Sequence, residues 1–100
     1  MRVIARRSII EYIDRHPATR AVLTHWLAIT SAAAWASTAE VQAAFSKAKV
    51  LNGDRVRFEI AGGDFRLIAA FNFDRGIAFV KFIGTHAEYD RIDALTVSQF

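Results

Sequence analysis

From Arg55 to Gly84 apolar and polar residues alternate with a period of two, and glycine-containing turns break the pattern twice. Successive side chains of a strand point to opposite faces, so this period builds a sheet with one buried and one wet face. Three strands are expected, over Arg55–Ile60, Phe65–Asn72 and Ile77–Gly84. Gly62-Gly63-Asp64 makes the first turn and Asp74-Arg75-Gly76 the second.

Register decides which residues share a face. With Ile60 opposite Phe65, Glu59 faces Arg66, Arg57 faces Ile68 and Arg55 faces Ala70. Val56, Phe58, Ile60, Phe65, Leu67, Ala69 and Phe71 then share an apolar face. Arg55, Arg57, Glu59, Arg66 and Asn72 share the other with Ile68 and Ala70, and that face is cationic. The third strand has two registers. A two-residue loop at Asp74-Arg75 sets Lys81 opposite Ile68 on the cationic side and adds Ala78, Val80 and Phe82 to the apolar side. A bulge at Gly76 would turn Lys81 inward instead. The first register is favoured, because an unpaired lysine is costly to bury. It leaves Ile77, Phe79 and Ile83 on the wet face, needing partial cover.

An apolar sheet face needs a lid, and the first half of the chain supplies helices. Ile9, Ile10 and Ile13 have helical spacing within Ser8–His16, which Pro17 ends. Val22, Leu23, Trp26, Leu27 and Ile29 form the stripe of a second helix, Ala18–Ala32. Ser37-Thr38-Ala39-Glu40 has capping-box spacing and opens a third helix to about Lys47, with Val41, Ala44 and Phe45 inward. Arg2–Ala5 reads as an edge strand and Lys49–Leu51 as a short one. Thr85–Asp93 reads as a loop or single helical turn, and Ala94–Phe100 as loose or a short strand. The expected class is α+β: one domain over 1–100, N-terminal helices packed on one face of a mainly antiparallel sheet, the cationic face open.

Composition narrows the function. A hydrophobic fraction of 53% suits a packed core and argues against disorder. Without cysteine there is no disulfide framework or thiol chemistry. The apolar stretch Trp26–Trp35 is too short to span a bilayer, so the expected location is cytoplasmic. A net charge of +3 favours anionic partners such as nucleic acid or an acidic protein.

Of the three histidines, His16 reads as a helix-end residue complementing the dipole, and His25 as a surface or half-buried helix residue. No histidine spacing supports a metal site, and no cofactor is expected. His86 follows a strand end, among Thr85, Glu88, Tyr89 and Asp90. An imidazole there suits proton transfer, or else a loop hydrogen bond. Tyr89 is a candidate for base stacking or proton donation, or a packing aromatic. Arg57, Arg66 and Lys81 can neutralise phosphate, and Arg66 can steady a pentacoordinate transition state. The plainer reading pairs Arg57 and Arg66 with Glu59 across a solvated face.

Phe65-Arg66-Leu67-Ile68-Ala69-Ala70, and Phe79-Val80-Lys81-Phe82-Ile83-Gly84 with Thr85-His86-Ala87-Glu88-Tyr89-Asp90 after it, carry a resemblance. So do Met1-Arg2-Val3-Ile4, His16-Pro17 and Trp35. The chain resembles the HigB-type toxins of type II toxin–antitoxin modules, within the RelE-like group. The resemblance implies a small α+β protein that cleaves mRNA on the ribosome without metal, the substrate's 2′-hydroxyl attacking the adjacent phosphate. It also implies a helix-turn-helix antitoxin (HigA-like) as partner, with DNA reached only through it. Arg66 matches the strand arginine of the group's Tyr/Phe-Arg-Leu pattern. His86 stands where the group often has a basic residue after a strand-ending glycine. Arg57 lies near a basic strand position, and Tyr89 stands for the C-terminal aromatic. Two lysines of some members are unmatched, with Glu59 at one of those places, so the general base stays open.

The expectation is therefore a ribosome-dependent endoribonuclease toxin. Arg66, His86 and Tyr89 are its catalytic candidates, and Arg55, Arg57 and Lys81 its RNA contacts. The rivals are an RNA- or ribosome-binding module without chemistry and a structural domain whose arginines meet an acidic protein.

Overall fold

A computed structural model describes residues 1–100. In chain order the elements are β1 (Arg2–Ile4), α1 (Arg6–Arg15), α2 (Arg20–Ala32), α3 (Thr38–Ala44), β2 (Lys49–Val50), β3 (Arg55–Ile60), β4 (Phe65–Asn72), β5 (Ile77–Thr85) and α4 (His86–Tyr89). The five strands form one sheet in the order β1-β5-β4-β3-β2. Only β1 runs parallel to its neighbour, β5. The fold is α+β, with α1, α2 and α3 on one side of a mainly antiparallel sheet and α4 at its end. No helix is long and apolar enough to cross a membrane.

Helix spacing explains the core. In α1, Ile9, Tyr12 and Ile13 lie three and four residues apart and are buried. Ile10, expected inside, lies a quarter turn away and is 47% exposed. Pro17 starts a short 3₁₀ turn, where its missing N–H costs nothing, and the Thr19 hydroxyl donates to His16 O at 2.7 Å. Leu23, Trp26, Leu27 and Thr30 form the buried stripe of α2, while Val22 is half-buried and Ile29 surfaces. Ser37 caps α3 by accepting from Glu40 N. That helix stops at Ala44, short of the expected Lys47, and Ala44 is exposed rather than inward. Phe45 leaves the helix and packs edge-on against Phe58, with ring centres 5.2 Å apart.

These stripes lie on Val56, Phe58, Ile60, Leu67, Ala69 and Phe71, the apolar face expected from alternation. Full burial of Leu67 or Ile9 contributes about 1.5–3 kcal/mol each. The β3–β4 register is the expected one, with Ile60 opposite Phe65 and Glu59 opposite Arg66.

The β4–β5 register starts as expected, with Asn72 opposite Ile77 and Ala69 opposite Val80. It then slips. Ile68 pairs with Phe82, not Lys81, so Lys81 is the extra residue of a bulge. Every later side chain changes face. Ile83, expected outside, is 3% exposed and joins the core. Phe82, expected inside, follows Ile68 to the helix-free face. The slip keeps both large apolar groups out of water: Phe82 is 4% exposed and Ile68 fully buried.

Candidate active site

The helix-free face is less open than its composition implied. Arg55 Nη1 donates to Ala94 O at 3.1 Å and to Val97 O at 2.9 Å. Gln99 N donates to Lys81 O at 2.8 Å, and Gln99 Oε1 accepts from Ile83 N at 2.9 Å. The segment after Asp93 therefore runs from in front of β3 to β5, anchored at the bulge. It is neither loose nor a strand of the sheet. The face it crosses holds the buried Ile68 and Phe82.

That arrangement separates the six candidates. Arg55 is committed to the crossing segment and lies roughly 13 Å along β3 from Glu59, four residues at strand rise. The Lys81 ammonium lies 5.4 Å from the centre of the Phe79 ring, not beside Ile68. Arg57 keeps its expected place opposite Ile68. It makes no ion pair, and its Nε is buried without a hydrogen-bond partner.

Arg66 is held firmly. It is 8% exposed, its Nη1 donates to Gly63 O, and it lies 3.8 Å from Glu59 Oε1. Glu59 thus pairs with Arg66 and leaves Arg57 unpaired. The turn is built around the guanidinium. Gly63 has φ +97°, and a Cβ there would sit 2.9 Å from Glu59 Oε1 and 3.1 Å from Arg66 Nη1. Across the ladder Arg66 faces Gly84, where a Cβ would meet the Phe82 ring at 2.5 Å. The missing side chain lets Phe82 fold over β5, its ring centre 6.2 Å from that of Tyr89. The Tyr89 ring in turn lies over Arg66.

Tyr89 and His86 are carried by α4, which the Thr85–Glu88 capping box starts. Glu88 N donates to Thr85 Oγ1 at 3.1 Å, and Glu88 Oε1 accepts from Thr85 N at 2.8 Å. His86 N also donates to Asp64 O at 2.9 Å, tying α4 to the turn that holds Arg66. The imidazole is half exposed at the rim, with Nδ1 3.0 Å from Asp90 Oδ2. Arg66, Tyr89 and His86 thus gather at one end of the sheet. Arg55 and Lys81 do not join them.

Two groups escaped the sequence reading. Asp90 lies four residues after His86, the spacing of one helical turn, and the stretch read as a loop or single helical turn, but no role was given to its carboxylate. The end of α1 also reaches this corner. The His16 ring lies 4.2 Å from Tyr12 and 5.7 Å from Phe65, centre to centre. Burial pushes the Tyr12 phenol above its ordinary value, and the Glu88 carboxylate adds to the push. The Thr85 backbone and hydroxyl hydrogen bonds hold Glu88 below the usual carboxylate range, aided by His16 and Arg91. No group of three or more His, Asp or Glu side chains converges as metal ligands.

A family model for HigB_toxin, the RelE-like toxic component of a toxin–antitoxin system, matches residues 19–92. The chain belongs to the HigB toxin family. The matched residues take in α2, α3, the whole of β2 to β5, and α4, so Arg66, Tyr89 and His86 lie within the matched span. Membership implies a cognate antitoxin. No curated protein matches the chain.

Proposed function

We propose that this HigB toxin is an endoribonuclease that cuts mRNA on the ribosome through the substrate's own 2′-hydroxyl. The observation that supports it is the meeting of a buried guanidinium, a tyrosine and an exposed imidazole at one end of the helix-free face. In this reading His86 takes the 2′-hydroxyl proton. The freed oxygen attacks the adjacent phosphorus, a 2′,3′-cyclic phosphate forms, and the bond to the 5′-oxygen breaks. Tyr89 stacks on a base or gives the leaving oxygen its proton. Arg66, fixed beneath Tyr89, supplies positive charge to the pentacoordinate phosphate without reorganising. Arg57 meets the RNA backbone. The antitoxin is of the helix-turn-helix, DNA-binding kind and brings the toxin to DNA.

The test is to map RNA ends in cells after induction, with and without the neighbouring antitoxin gene. New 5′ ends within translated messages, absent when the antitoxin is co-expressed, support the reading. RNA or ribosome binding without new ends supports a non-cleaving module instead. If Arg66→Ala and His86→Ala arrest growth as fully as the parent at equal expression, the residue assignment is wrong.

A further inference from the structure

The proposed cleavage needs a base at the rim, and an exposed imidazole alone is a poor one. In water both tautomers of a neutral imidazole exist and the ring turns freely. The structure biases the first of these at His86. Its Nδ1 lies 3.0 Å from Asp90 Oδ2. A lone pair on Nδ1 would be repelled by the carboxylate at that distance, so Asp90 favours the tautomer with the proton on Nδ1. Nε2 is then the nitrogen with the free pair. Asp90 is itself placed by backbone bonding, its N–H donating to His86 O at 3.0 Å, which closes the turn that carries both side chains. Capping by Thr85 and the bond from His86 N to Asp64 O fix that turn on the sheet. Two nearby carboxylates are committed elsewhere. Glu88 serves the capping box and lies toward Tyr12 and His16, and Glu59 pairs with Arg66.

We propose that Asp90 is the positioning residue of this site: its carboxylate holds His86 in the Nδ1–H tautomer and presents Nε2 as the proton acceptor for the RNA 2′-hydroxyl. The same carboxylate then balances the imidazolium that forms when Nε2 takes the proton. Asp90 itself touches no substrate. The assignment rests on the endoribonuclease reading and adds to it a residue that does not react.

The experiment uses the full chain and two readouts. Long-range ¹⁵N correlation spectra of the imidazole, taken where it is neutral, report the tautomer without any reference to activity. The parent is expected to show Nδ1–H, and Asp90→Ala to move to the Nε2–H form that free imidazole prefers. Cleavage of mRNA on purified ribosomes is measured on the same proteins. Asp90→Ala is expected to lower kcat about tenfold or more with KM within about twofold, part of the 10²–10⁴ that a general base supplies. Asp90→Glu is expected to restore part of the loss. An identical tautomer in parent and Asp90→Ala overturns the role of Asp90 and leaves the nuclease reading standing. A changed tautomer with unchanged kcat also overturns it. A parent that cleaves nothing overturns the reaction itself, whatever the tautomer.

Discussion

The guanidinium carbon of Arg66 lies 5.9 Å from the centre of the Tyr89 ring. A strand residue and a residue of the last helix thus share one contact, which joins the sheet to α4. Cation–π contacts of this kind contribute about 0.5–2 kcal/mol. Tyr89→Ala is expected to cost about that much in urea unfolding and to expose Arg66. Tyr89→Phe keeps the ring and the stability but loses the hydroxyl. If Tyr89→Phe cleaves RNA as fast as the parent, the tyrosine stacks rather than donates a proton.

The two arginines of β3 should behave differently. Arg55 is spent on the carbonyls of Ala94 and Val97. Arg55→Ala is expected to lower stability by about 1.5–3 kcal/mol, the usual worth of hydrogen bonds to a charged group. Its effect on RNA affinity should be small. Arg57 has no anionic partner. Arg57→Ala is expected to weaken RNA binding and flatten its log–log salt dependence by about 0.7, the share of one single-strand phosphate contact. Filter binding over a salt series reads both; equal slopes for Arg57→Ala and the parent would exclude Arg57 as a phosphate contact.

Gly63 is a tight point of the site. Any side chain there meets Glu59 and Arg66 and must adopt φ +97°. Gly63→Ala is expected to destabilise by about 1–3 kcal/mol and to break the Arg66–Glu59 pair, since Arg66 cannot give way while its Nη1 donates to Gly63 O. Chemical unfolding measures the first effect, and the Arg66 side-chain NMR signals the second.

Acid should loosen α4 before the rest of the fold. Hydrogen bonds from the Thr85 backbone and hydroxyl lower the Glu88 value in the folded chain. A carboxyl lowered on folding stabilises at pH above its unfolded value, and that stabilisation disappears as pH falls through its folded value. Amide exchange at Glu88 and Asp90 should therefore accelerate below the ordinary carboxylate range while β4 stays protected. Glu88→Gln should flatten this dependence. Equal acid sensitivity in β4 and α4 would show that the capping carboxylate is not the cause.

The sheet was legible because its signal is local. A period of two from Val56 to Phe71 is a property of neighbours in sequence, and the tight Gly62–Gly63 turn sets its register. The same holds for the stripes of α1 and α2 and for the cap at Ser37. Arg66 and His86 were visible as residue types near one end of that sheet.

What the tertiary structure decided depends on partners far along the chain. The bulge at Lys81 exists because Ile83 has a place in the core and Phe82 has one over Gly84. Alternation alone cannot rank that gain against one broken ladder step. Nothing in Ala94–Gln99 announces a segment that crosses a sheet; it does so where Arg55, Lys81 and Ile83 offer it hydrogen bonds. The chain's own order could say which groups are charged. Only the packed molecule determined which charges are already spent, because a charge is satisfied by whatever folding brings within 3–4 Å of it.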